Sequence, residues 1–177
     1  MKSISDATGD EEDTVPMSES GATFHYFTID AASDGPAFAD VGNVDGDGTL
    51  DVIIASFGSI GFNIPAGEVN LYTMGSSLSA PWTKQAIVSE SEAVVWPNHA
   101  ELHDLDGDGD MDAAVSGDGD PKVYWLEQTD AGFITHVLIS NLSQAGGMLI
   151  EGLDGNGTNE IIVTGYDAGV VYVFERD

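Results

Sequence analysis

The sequence predicts an all-β chain built from repeated antiparallel sheets of four strands. Short apolar runs alternate with turns rich in glycine and aspartate, and 22 of the 177 residues are glycine. Long helical periodicity is absent, and one acidic turn pattern recurs three times along the chain.

The turn pattern is clearest at Asp104-Leu-Asp106-Gly-Asp108-Gly-Asp110-Met-Asp112, with carboxylates at positions 1, 3, 5 and 9 of the loop. Asn43 to Asp51 and Gly152 to Glu160 repeat the frame, at offsets of 61 and 48 residues. Each loop leads straight into an apolar run: Val52–Ala55, Ala113–Val115 or Ile161–Val163. The loops therefore feed strands, and each unit reads as strands A to D with the acidic loop between A and B.

The A strands are expected at Ala37–Val41, Asn98–His103 and Gly147–Glu151, with the B strands at the apolar runs just named. The C strands are Glu68–Thr73, Lys122–Glu127 and Val170–Glu175, which alternate apolar residues over two faces. The D strands are Trp82–Val88 and Phe133–Ile139. The third unit ends without one, and Thr23–Ile29 has the length and pattern to supply it.

Units of this size suggest β-propeller-like blades, three per chain, with the N-terminal strand completing the last blade. The repeats fall at about 31–88, 89–140 and 141–177 plus strand 23–29, within a domain spanning 21–177. Residues 1–20 are polar and acidic and read as a flexible lead-in. A ring of three blades would curve tightly, so a larger ring or a strand-exchanged polymer of several chains is the expected assembly. An arbitrary fragment of a larger ring is the alternative.

Densely packed carboxylates repel one another unless a cation sits among them. Hard oxygens at this spacing suit Ca²⁺, and the backbone carbonyl at position 7 can add a ligand. An EF-hand would need its bidentate acid at position 12, where this chain has Ile54, Val115 and Val163. A metal-free Asp-Gly surface turn is the plain alternative, most plausible for the third loop.

Only 4 basic residues face 31 acidic ones, a formal net charge of −27. That argues against nucleic acid and against anionic membrane surfaces as partners. Cysteine is absent, which excludes disulfides, thiolate catalysis and cysteine-based zinc sites. No segment approaches the roughly 18 apolar residues of a membrane span. Weak calcium sites fill where calcium is millimolar, so an extracellular or cell-surface location is expected, with no signal core in this chain.

The tandem Asp-x-Asp-Gly-Asp-Gly-x-x-Asp loops, each followed by a strand, resemble the FG-GAP/VCBS repeat family. The likeness covers nearly everything after Gly21, and two of the three loops are close matches. That family includes integrin α-subunit propeller blades, many microbial surface proteins, lectin-like proteins and polysaccharide lyases. The resemblance implies a propeller with calcium held in the A–B hairpin of each blade. By position the ligands would be Asn43, Asp45, Asp47, Thr49 and Asp51 in the first loop. The second would use Asp104, Asp106, Asp108, Asp110 and Asp112; the third Asp154, Asn156, Thr158 and Glu160. Counting carboxylates ranks the second loop tightest, then the first, then the third, which has Gly152 at position 1.

At the opposite ends of the strands, Phe57–Ala66, Ser89–Asn98 and Asp118–Asp120 form candidate recognition loops. Trp96 there could stack on a sugar ring or wedge between blades. His99, Glu101 and His103 alternate along one strand, a weak signal for a transition metal or an acid–base pair and more simply a hydrogen-bonded strand. No nucleophile elbow, phosphate loop or dinucleotide fingerprint is present.

The expected function is therefore a non-enzymatic, calcium-binding extracellular module for adhesion, assembly or recognition. A glycan-binding lectin-like module is the alternative, and a lyase using His99 and His103 a more distant one. Partners would be further copies of the chain, with a glycan or protein ligand.

Overall fold

The computed structural model describes residues 14–16, 23–58, 67–88 and 94–176. Among the described residues the regular structure is entirely β. Sheet I joins β3 (Pro36–Gly42), β4 (Asp51–Ser56), β5 (Glu68–Thr73) and β6 (Thr83–Val88) in that order. Sheet II joins β7 (Pro97–His103), β8 (Asp112–Gly117), β9 (Val123–Thr129) and β10 (Gly132–Ile139). Sheet III has β11 (Ala145–Glu151), β12 (Glu160–Gly165) and β13 (Val170–Phe174). All three are antiparallel meanders.

The register puts equivalent residues of each repeat in equivalent rows. Asp40 pairs with Ile53 and Ile53 with Leu71; Glu101 pairs with Ala114 and that residue with Trp125; Leu149 pairs with Ile162 and Ile162 with Val173. Because side chains alternate along a strand, these rows define one face of each sheet, here the forward face. The neighbouring rows, Val41–Val52–Tyr72, Leu102–Ala113–Leu126 and Ile150–Ile161–Phe174, define the rear face.

Two apolar cores follow from this alternation. Ile53, Ala55, Val69 and Leu71 of the forward face of sheet I pack against Ala100, Leu102, Ala113, Val115 and Leu126 of the rear face of sheet II. Ala114 and Val123 of the forward face of sheet II pack against Met148, Ile150 and Val163 of the rear face of sheet III. The chain thus stacks sheet on sheet in one direction, with β7 against β3 and β11 against β7. Burying these side chains supplies the main driving force, about 25 cal/mol for each Å² of apolar surface removed from water.

One sequence expectation is corrected. The strand expected over 23–29 spans only β2 (Thr23–His25), and it pairs with β1 (Thr14–Pro16) rather than with β13. Sheet III consequently has three strands among the described residues. A short local hairpin forms without closing a long loop, which favours it over a distant pairing. Thr14–Pro16 also lies inside the segment read as a flexible lead-in; the rest of 1–20 lies outside the described residues, apart from those three. Most of the expected 57–66 loop also lies outside them, as does 89–93. No described helix is long and apolar enough to cross a membrane.

Candidate metal centre

The three acidic loops connect β3 to β4, β7 to β8 and β11 to β12, so all three stand at the same end of their sheets. Each is folded by the same ladder of side-chain to backbone hydrogen bonds. The position 3 carboxylate accepts from the position 5 N–H: Asp45 from Asp47 (3.1 Å), Asp106 from Asp108 (3.1 Å) and Asp154 from Asn156 (2.9 Å). Position 5 then accepts from position 7: Asp47 from Thr49 (2.7 Å), Asp108 from Asp110 (2.9 Å) and Asn156 from Thr158 (2.8 Å). These two successive side-chain turns need aspartate or asparagine, whose short side chains reach a backbone two residues on. Gly107 and Gly109 take φ of 84° and 99°, where a side chain would be strained although space around both is open.

Position 1 curls over the loop. Asp104 accepts from the Gly107 and Gly109 N–H groups (2.7 and 3.1 Å), and Asn43 accepts from Gly48 (3.3 Å). In the third loop Gly152 supplies no such side chain. Asp104, Asp106 and Asp108 each turn one carboxylate oxygen inward, and these oxygens lie within 4.8 Å of one another. A cleft of about 530 Å³, lined in part by Asp104, Asp106, His103, Trp125 and Arg176, opens beside this loop.

The position 9 acids are buried, and each first serves the backbone. Asp51 accepts from the Val44 N–H (2.9 Å) and the Met74 N–H (3.2 Å); Asp112 accepts from Leu105 (3.1 Å) and Gln128 (2.8 Å). Each carboxylate thus ties the start of its acidic loop to the end of the third strand of its sheet. Glu160 keeps the first of these bonds, from Leu153 (2.6 Å), while its Oε1 is buried without a hydrogen-bond partner. A carboxylate oxygen has more than one lone pair, so these bonds leave room for a cation.

Charge and burial act in opposite senses here. The Thr49 hydroxyl and then its N–H hold the Asp47 carboxyl below the usual carboxylate range. Burial pushes Asp112 up, opposed by the hydrogen bonds from Gln128 and Leu105. A buried carboxylate beside other carboxylates is the environment in which a divalent cation relieves the most repulsion.

The donor set fits a hard cation. Asp104, Asp106 and Asp108 would hold it in the second loop, while Asp112, whose oxygens accept from Leu105 and Gln128, lies outside that group of converging oxygens. In the first loop Asn43, Asp45, Asp47 and Thr49 share the same hydrogen-bond ladder and Asp51 stands at position 9, but the carboxylates of Asp45, Asp47 and Asp51 do not converge as those of the second loop do. In the third, Asp154, Asn156 and Thr158 are joined by the hydrogen-bond ladder, and the unpartnered Oε1 of buried Glu160 suits a cation. Nothing softer than oxygen is offered by these side chains, which favours calcium or magnesium over zinc or copper.

The other candidates separate. His99 Nε2 lies 3.1 Å from Glu101 Oε1, and the His99 ring stacks on Phe38 with centroids 3.6 Å apart. His103 instead meets the side chain of Asn159 on β11's neighbouring loop, so the two histidines do not converge. The role that sequence reasoning missed belongs to Asp40 and Glu101. Asp40 accepts from the Leu102 N–H of the next sheet (2.9 Å), and Glu101 from the Ile150 N–H (2.7 Å). Their equivalent positions three residues before each acidic loop are the only sequence signal of this. At the opposite end, Trp96 is 40% exposed with φ 46°, and its carbonyl accepts from the Asp118 N–H (2.9 Å).

Comparison with curated proteins and with solved structures gives no match. One family model does match, and it starts at the first residue of the second acidic loop and runs through the third. Residues 104–163 match the family described as FG-GAP-like repeat, and the chain thus carries an FG-GAP-like repeat over that segment.

Proposed function

We propose that this chain is a non-enzymatic, calcium-binding repeat module of the extracellular or cell-surface kind, whose sheets are the blades of a propeller-like array serving adhesion, assembly or recognition. The observation that carries this reading is the convergence of Asp104, Asp106 and Asp108 oxygens within 4.8 Å at one end of a stacked-sheet scaffold. Bound calcium would offset the carboxylate repulsion and tie each loop to its sheet. Metal binding is then linked to folding, because the unfolded chain has no such convergence.

Titration calorimetry with Ca²⁺ tests the reading. Wild type binds, with the second loop the tightest site. Asp106→Asn with Asp108→Asn removes that site and leaves the two weaker ones of the first and third loops. Absence of calcium binding at millimolar concentration, or binding untouched by the double substitution, would sink it.

A glycan-binding role is a second reading, favoured by the exposure of Trp96 at the end of the sheets away from the acidic loops. An amphipathic ring beside the Asp118–Asp120 turn can stack on a sugar while the turn accepts its hydroxyls. Glycan-array binding that disappears in Trp96→Ala would support it.

A further inference from the structure

Asn156 of the third acidic loop is the only asparagine in the chain that glycine follows, as Asn156-Gly157. Every other asparagine precedes a residue whose side chain crowds the approach of its backbone nitrogen to the amide carbon. At the same position 5 of the other two loops the chain has aspartate, Asp47 and Asp108. Asn156, Gly157 and Thr158 are all exposed, and a Cβ added at Gly157 would meet nothing within 4 Å.

The hydrogen bonds of this loop differ from those of the other two at one point. In the first and second loops the glycine after position 5 donates its N–H to the side chain at position 1: Gly48 to Asn43 (3.3 Å) and Gly109 to Asp104 (3.1 Å). In the third loop position 1 is Gly152, and the Gly157 N–H has no acceptor among the described residues. The Asn156 amide, by contrast, is firmly held. Its Oδ1 accepts from both the Thr158 N–H (2.8 Å) and the Thr158 hydroxyl (2.6 Å), while its Nδ2 donates to Asp154 (3.1 Å) and Glu175 (3.4 Å). Two donors on one carbonyl oxygen draw electrons from Cγ and stabilise the negative charge that grows on Oδ1 when a nucleophile adds. A free backbone nitrogen therefore stands one residue from a polarised amide carbon.

We propose that Asn156 is a site of spontaneous deamidation in the folded protein, which gives the third loop a position 5 carboxylate like those of the other two. The Gly157 nitrogen loses its proton to solvent base and bonds to Asn156 Cγ. The Cγ–Nδ2 bond breaks, and that nitrogen leaves as ammonia with a proton from water. A five-membered cyclic imide now joins the two residues. Water opens it at either carbonyl. Cleavage of the new nitrogen–Cγ bond leaves aspartate in a normal chain; cleavage at the former backbone carbonyl leaves isoaspartate, with the chain routed through the side chain. One water is consumed, one ammonia is released, and no other reactant is needed.

The first loop already shows how aspartate sits there. Asp47 accepts from the Thr49 N–H (2.7 Å) and the Thr49 hydroxyl (2.6 Å), the same pair of bonds that Asn156 accepts from Thr158. The aspartate product thus keeps the ladder of the loop. It gives up both Nδ2 bonds and sets a new carboxylate beside Asp154 and Glu175, a repulsion that a cation relieves. Isoaspartate lengthens the main chain and breaks the ladder instead. The gain in cation affinity, and that consequence alone, rests on the calcium reading given above: deamidation then brings the weakest loop closer to the donor set of the second.

The test ages the freshly purified full chain in warm, mildly alkaline buffer without calcium, both folded and in urea. Peptide mass mapping follows each asparagine over time, with fragmentation that separates aspartate from isoaspartate. Asn156 is expected to convert at least as fast in the folded protein as in urea, while Asn141 and Asn159, also exposed, keep their amides. Gly152→Asp supplies the missing acceptor for the Gly157 N–H and should slow folded conversion about tenfold, with no change in urea. Folded wild type that converts far more slowly than the chain in urea would overturn the proposal, whether or not Gly152→Asp folds. So would a folded Gly152→Asp protein that converts at the wild-type rate, or a product that is isoaspartate alone. Calcium titration of Asn156→Asp reads the consequence separately, with affinity at the third loop expected to rise about tenfold. If no loop binds calcium, the metal reading fails by itself, and the mass comparison still decides the deamidation.

Discussion

The Asp40 carboxylate on β3 accepts a hydrogen bond from the Leu102 N–H on β7, 2.9 Å away across the junction of two sheets. Glu101 repeats the link one sheet further on, to the Ile150 N–H at 2.7 Å, while His99 holds its other oxygen. A charged acceptor on a backbone donor is among the stronger hydrogen bonds, and these two fix the relative height of neighbouring sheets that apolar packing alone would let slide.

Asp40→Ala should therefore cost about 1–3 kcal/mol in urea unfolding, and Asp40→Asn, which keeps an acceptor, clearly less. A loss within about 0.5 kcal/mol, the scatter of ordinary surface changes, would mean that the link does not hold the sheets.

Asp112 separates its structural role from its role as a ligand. With chelator present, Asp112→Ala leaves the Leu105 and Gln128 N–H groups without their acceptor and should cost about 2–4 kcal/mol. Asp106→Asn under the same conditions should change stability little, because Asp106 serves an exposed turn. Equal losses in the two variants would contradict the distinction.

Acid should loosen the lateral edge of sheet I before the cores fail. Asp30 accepts from the Tyr72 hydroxyl (2.7 Å) and from Lys84 Nζ (3.1 Å). Together with the Ala32 N–H, these lower its pKa to about 2, the Tyr72 bond contributing most. The folded value lies below the unfolded 3.8, so this contribution is complete above the unfolded value and is lost as pH falls from there toward 2. Its size should be about 1–2 kcal/mol, kept modest because Lys84 is solvent-exposed. Comparing Asp30→Asn with wild type from pH 6 to pH 2 checks it: the gap between them should narrow as pH falls, and a constant gap would argue against the linkage.

Gly152→Asp should repair the third loop. A Cβ at Gly152 meets only the Asn159 side-chain oxygen at 3.3 Å and the Thr158 carbonyl at 3.6 Å, so a small shift of a flexible side chain admits it. The new carboxylate would stand where Asp104 stands in the second loop. Calcium affinity of the weakest site should rise about tenfold, equivalent to roughly 1.4 kcal/mol; an unchanged titration would show that position 1 is not what limits this site.

Much of the scaffold was legible because its punctuation is local. The acidic loops set the repeat frame, and Glu68–Thr73 forms a strand over the span its alternation predicts. Asp104, Asp106 and Asp108 converge as their spacing implies, since successive side-chain turns depend only on residues two apart. The pairing of β2 was not legible, because β1 is three residues long, too short to show a period. Nor were the bonds of Asp40 and Glu101, which join residues 62 and 49 positions apart through a backbone N–H that every residue but proline carries. The second task of Asp51 and Asp112 was hidden for the same reason: a carboxylate in a metal-like frame looks alike whether it faces an ion, a backbone, or both.

Thermal unfolding in saturating Ca²⁺ against the same protein in excess chelator is the most direct test of the central claim, that the recurring acidic loops bind a divalent ion and so hold the stacked sheets. At about 100-fold excess over the dissociation constant, one site adds about 2.7 kcal/mol. The midpoint should therefore rise by about 5 °C or more. That gain should shrink in Asp106→Asn with Asp108→Asn. Superimposable melting curves for wild type in calcium and in chelator would contradict the account.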